Sequence, residues 1–155
     1  MNIFRTLAAL GSILAAVTAA AADGPGVTVS EAWVRALPPS QANTAAYLVI
    51  ANPGQAPVRV VGASSDIAAR VEFHTTREVD GYQRMVQLQQ LELAPGQRLE
   101  LAPGGTHLML LELQRMPVAG EQVSLCLQLA SGEQTCFSAL VRRDAEPSGH
   151  EHHHP

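Results

Sequence analysis

From residue 27 to residue 142 the chain is a series of short apolar runs, several alternating with polar residues and most closed by glycine, proline, asparagine or aspartate. A period of two marks a strand with one buried face, and no run here carries the 3.6-residue period of an amphipathic helix. The pattern predicts strands over 27–36, 44–52, 58–64, 69–76, 82–88, 98–102, 106–113, 122–130 and 134–142. Turn chemistry lies between them in NPGQAP, DG, APGQ, APGG, VAGE and ASGE. Short strands at this spacing fit two sheets packed over one core, an all-β sandwich.

Two stretches stand outside the pattern. Residues 1–22, MNIFRTLAALGSILAAVTAAAA, read as an export signal, with Arg5 as its positive start, residues 6–17 as its apolar core and a cleavage site after Ala21 or Ala22. The apolar core is shorter than a bilayer span, so cleavage is expected to leave a periplasmic protein with no stable membrane insertion. Residues 144–155, DAEPSGHEHHHP, are polar and carry His150, His152, His153 and His154. They predict a flexible histidine-rich tail, a secondary metal site suited to Cu(II), nickel or zinc. One domain, 23–143, lies between.

Charge narrows the partners. All ten basic residues are arginines, scattered along the chain, and losing Arg5 with the signal moves the formal net charge from −4 to −5. No basic patch forms in the sequence, so nucleic acid is not an expected partner. No nucleophile–base set stands out, and Glu72, Asp80 and Glu112 show no paired spacing, so no enzyme is expected.

Cys126 and Cys136 flank LQLASGEQT. A three-residue loop at 130–132 would set them directly opposite each other, where a bridge is feasible but geometrically demanding. Two buried free thiols are the other outcome, and an exported protein admits either.

The histidines and methionines carry the candidate chemistry. His107 and Met109 are two apart and therefore share one side of their strand. His74 and Met85 flank a hairpin turning near Asp80-Gly81; a four-residue loop at 78–81 would set His74 opposite Met85 on a common face. Two cofacial pairs need only adjacent placement to converge on one metal. Two imidazoles and two thioethers form a neutral, partly soft set that suits Cu(I) and offers little to zinc, calcium or magnesium. Met116, before Pro117, reads as turn packing, and Trp33 and Arg35 read as first-strand structure that could border the site.

The spacing H-x10-M-x21-H-x-M from His74 to Met109 resembles the copper-binding motif of the PCu(A)C family of periplasmic copper chaperones. The flanking segments AWVRALPPSQANTAAYLVIANPG (32–54) and LELAPGGTHLMLLEL (99–113) are similar to that family as well. In a chain of this composition the four matches arise by chance roughly once in ten thousand trials. Two features depart from the family: Thr75 stands where many members have a methionine, and Cys126 and Cys136 match no part of the motif.

The resemblance implies a cupredoxin-like Greek-key β-sandwich that holds Cu(I) through His74, Met85, His107 and Met109. It further implies delivery of the ion to an acceptor in cytochrome c oxidase assembly, either subunit II or a Sco-type assembly protein. Two other readings compete. An electron-transfer cupredoxin needs a cysteine thiolate beside two histidines, and a structural sandwich would make the metal site incidental.

Overall fold

The sequence QVSLCLQL at 122–129 shows how the fold is written: along it, buried positions recur at every second residue. The computed structural model describes residues 26–143. It contains ten strands: β1 (Thr28–Arg35), β2 (Thr44–Ala51), β3 (Val58–Ser65), β4 (Ala68–Val79), β5 (Tyr82–Leu88), β6 (Leu91–Leu93), β7 (Arg98–Leu101), β8 (His107–Leu113), β9 (Gln122–Leu129) and β10 (Gln134–Arg142). All nine expected strands are present. The tenth, β6, is only three residues long, too short to show a period. Among the described residues there is no helix, and so none long and apolar enough to cross a membrane.

The strands pair in the order β5-β4-β8-β2-β1-β10-β9-β3-β6, with β7 joined to β2. A further β3–β4 pairing, Ala63 opposite Val71, closes seven of them into a flattened barrel. Closure hides most of the strand edges that an open sheet would expose to other chains. The fold is thus the expected all-β Greek-key sandwich, with neighbours in space that are often distant in sequence.

Inside lie Val34, Leu48, Ile50, Val60, Phe73, Leu93, Leu101, Leu108, Leu110, Leu125, Leu127 and Val141, none more than 3 % exposed. Phe73 of β4 and Leu108 and Leu110 of β8 are committed to this core. The intervening residues of those strands must therefore face outward.

Two hairpins tested the expected loops. In β9–β10 the Leu129 N–H donates to Glu133 O at 2.9 Å, leaving residues 130–132 as a three-residue loop. Cys126 then opposes Cys136 across the ladder, and the two are joined as a disulfide. In β4–β5 the loop is shorter than the expected four residues. Val79 pairs with Tyr82, and only Asp80 (φ 54°) and Gly81 (φ 79°) make the turn. Positive φ at both central positions matches the right-handed twist of the flanking strands, a conformation that aspartate and glycine tolerate well. The pairing of His74 moves by two residues as a result, from Met85 to Gln87, while Met85 opposes Thr76.

The disulfide closes a short loop between residues ten apart in sequence. Converting both cysteines to alanine is expected to lower the unfolding free energy by about 2–3 kcal/mol, the chain-entropy value for such a loop. Urea titration of the oxidised protein and the double variant measures it. Equal midpoints would show that the bridge adds no stability.

Candidate metal centre

The site is built on the outer face of β5, β4 and β8, three neighbours in the sheet. His74 lies directly opposite His107, and Glu72 directly opposite Met109, in the β4–β8 ladder. Thr76, two residues beyond His74, opposes Met85 of β5. Opposed residues share a face, as do residues two apart on a strand. His74, Met85, His107 and Met109 therefore project from one side of the sheet. The shortened turn changes the partner of His74 without changing the face, because a shift of two residues preserves side-chain direction.

The two imidazoles have ring centroids 6.1 Å apart, with their planes at 45°. Rings bonding one ion at about 2.0–2.1 Å per nitrogen can have centroids at most about 6.5 Å apart, so a shared ion fits between them. Among the described residues no three His, Cys, Asp or Glu side chains come together as a metal-holding group. Beside the two imidazoles, the soft donors on this face are the thioethers of Met85 and Met109.

Hydrogen bonds set which nitrogen of each ring is available. Gly105 O, a carbonyl, can only accept, so His107 Nδ1–H donates to it at 3.0 Å. The lone pair of the neutral His107 ring is then on Nε2. His74 has the complementary arrangement: Nε2 lies 2.9 Å from Glu72 Oε2, an acceptor, and Nδ1 is buried with no hydrogen-bond partner. Each ring thus commits one nitrogen to the protein, and in the neutral form the other nitrogen carries the lone pair. An orphaned buried nitrogen is costly in an ordinary surface strand, and a metal ion would satisfy it.

The turn before β8 delivers His107. Gly105 N–H donates to Ala102 O at 3.0 Å around Pro103 and Gly104. Proline fits the first central position of a type II turn, and Gly104, with φ 81°, supplies the positive φ demanded at the second. The same Gly105 carbonyl accepts from Thr76 N at 3.4 Å, tying the turn to β4 beside His74. Thr106 Oγ1 adds a bond to Thr75 Oγ1 at 3.1 Å.

Exposure differs sharply among the four. His107 is 5 % exposed, His74 and Met109 are half-buried, and Met85 is 56 % exposed. Met85 is the outermost of the four. On the far side of β8, Tyr47 lies 6.2 Å from His107, and Trp33 stacks on Tyr47 at 4.5 Å. The Arg35 guanidinium sits 5.2 Å from the Tyr47 ring, and that of Arg142 sits 4.6 Å from Trp33. Burial pushes the Tyr47 phenol up from its ordinary value, opposed by the nearby Arg35 charge. Trp33 and Arg35 therefore both extend the site's face, as the sequence allowed.

Glu72 and Tyr47 were not singled out as site residues from sequence. For Glu72 a signal existed: it precedes His74 by two, which places both on one face. For Tyr47 none did, because its neighbour His107 is sixty residues away on another strand. Met116 is buried as expected of turn packing, beside Pro117 in an open groove of about 450 Å³ that also includes Leu37 and Val118. None of the four histidine and methionine positions lines that groove. The tail histidines His150, His152, His153 and His154, and the expected export signal at residues 1–22, lie outside the described residues.

Several solved structures share this fold. The copper-bound PCuAC domain of PmoF2 superposes with a TM-score of 0.64 and 22 % identity, covering 79 % of this chain and 97 % of that one. At that identity the likeness speaks for the fold alone. The solution structure of the Cu(I) form of DR1885 from Deinococcus radiodurans has a TM-score of 0.60 and 29 % identity, covering 81 % of this chain and 84 % of its own. Among curated proteins, "Putative lipoprotein Lxx21020" of Leifsonia xyli subsp. xyli (strain CTCB07) is 34 % identical over 118 residues, which is 76 % of this chain and 70 % of that protein. The family model described as "Putative lipoprotein LpqE-like" matches residues 27–141, and the chain belongs to that LpqE-like family.

Proposed function

We propose that this protein is a copper carrier of the cell envelope, binding one Cu(I) through His74, Met85, His107 and Met109. The observation that carries the reading is the pair of facing imidazoles, each with one nitrogen hydrogen-bonded to the protein, and with His74 Nδ1 buried and partnerless. With thioethers on the same face, the donor set is neutral and soft, matched to a monovalent ion. The DR1885 relative, named for its Cu(I) form, supports the choice of ion.

An exported, envelope location agrees with the lipoprotein descriptions of the family and the Leifsonia relative. We place the protein in the periplasm, in keeping with the export signal expected at residues 1–22. Release would begin at Met85, the outermost of the proposed donors, which an acceptor's own ligand could replace while the less exposed histidines retain the ion. The PCu(A)C resemblance points to an acceptor in cytochrome c oxidase assembly, subunit II or a Sco-type protein. The tail histidines would add a separate Cu(II) site. The electron-transfer alternative is disfavoured because the disulfide leaves no thiolate for a blue-copper centre.

Titration of the protein with Cu(I) against a competing chelator is expected to saturate at one equivalent. Met85→Leu and Met109→Leu should each weaken binding at least about tenfold, or about 1.4 kcal/mol. Unchanged affinity in the double variant would contradict the proposed ligands. Because Met85 is so exposed, Met85→Leu should alter the unfolding free energy by less than about 0.5 kcal/mol. A larger loss in denaturant melts would make it a packing residue instead. Trp33 is the only tryptophan and reaches the site through Tyr47, so its emission should change with loading and level off at one equivalent. An emission indifferent to Cu(I) would count against an ion beside His107.

A further inference from the structure

We infer that Glu72 is a positioning residue for the proposed copper site, holding the His74 ring so that its Nδ1 is the nitrogen offered to the ion. The inference rests on the copper reading above and adds to it a residue outside the H-x10-M-x21-H-x-M spacing.

Strand geometry brings the two together. Glu72 and His74 are two apart on β4 and share its outer face, and the carboxylate Oε2 lies 2.9 Å from His74 Nε2. A carboxylate accepts hydrogen bonds and does not donate them, so Nε2 carries the proton. A neutral imidazole has one N–H, which leaves the lone pair on Nδ1. That atom is buried and has no partner. Glu72 thereby fixes both the tautomer and the angle of the ring, and its charge makes the ring a stronger donor.

The carboxylate is itself held from behind. Its other oxygen, Oε1, is 3.5 Å from Arg70 Nη1, and Arg70 Nη2 bonds Glu112 Oε1 at 2.8 Å. Glu112 N–H in turn donates to Asn43 Oδ1 at 3.0 Å. These groups are largely solvent-exposed, so each contact is weak alone. Together they keep Glu72 turned towards His74. His107 needs no such residue, because the Gly105 carbonyl does the same for its Nδ1–H. The site orients one histidine with backbone and the other with a carboxylate.

The test compares Glu72→Ala with Glu72→Gln, whose amide oxygen can still accept from Nε2–H. In nitrogen-15 spectra of the metal-free protein at mildly alkaline pH, the His74 Nε2–H signal should be protected in the parent and in Glu72→Gln, and lost to exchange in Glu72→Ala. Cu(I) affinity should fall about 10–100-fold in Glu72→Ala, as for other residues that orient metal ligands, and substantially less in Glu72→Gln. An unaltered ring signal and affinity in Glu72→Ala would overturn the positioning role. Equal affinity losses in both variants would overturn it too, assigning the effect to charge alone. If the parent protein bound no Cu(I), the copper reading would fail, whereas the metal-free ring signal would still report on Glu72.

Discussion

The candidate site depends on one register, the antiparallel pairing of β4 with β8 that sets His74 opposite His107. Side chains alternate across a sheet, so a slip of one residue would turn His74 or His107 into the core and bring Phe73 or Leu108 out to solvent. The register is therefore held by the burial of Phe73, Leu108 and Leu110, each at most 3 % exposed. Fully burying one such side chain is worth about 1.5–3 kcal/mol, which a slipped pairing would forfeit for several at once. The apolar core on one face of these strands is what places the imidazoles on the other.

Much of this was legible in the sequence. Alternation located nine strands, and glycine-bearing turns located their ends. The loop at 130–132 correctly set Cys126 opposite Cys136, although only the folded chain decided between a bridge and free thiols. The face shared by His107 and Met109 followed from spacing alone. That β4 neighbours β8 did not, since β5, β6 and β7 intervene in sequence and nothing local records which distant strands pair. The β4–β5 turn was misjudged as four residues because loop length depends on backbone twist. A slip of two residues leaves Met85 on the same face as His74 all the same. Glu72 was passed over as a lone acid, and its meaning emerges only beside the buried, partnerless nitrogen of His74.

The donors and the disulfide divide the work between two kinds of sulfur. The cysteines are tied to each other across β9 and β10 and take no part in the proposed donor set. The proposed binding chemistry is left to thioethers, which form no disulfide in an oxidising compartment and remain free to take up a soft ion. A graded exposure, from buried His107 to open Met85, would give the proposed site an inner anchor and an outer, replaceable ligand. This combination suits a carrier better than a permanent cofactor site, where all ligands would be enclosed.

X-ray absorption at the copper edge of the protein loaded with one equivalent of Cu(I) tests the account most directly. It should report nitrogen and sulfur scatterers together around a single ion, two of each. A shell of nitrogen and oxygen alone would contradict it, since the imidazoles would then bind without the methionines and no soft-ion site would exist on this face.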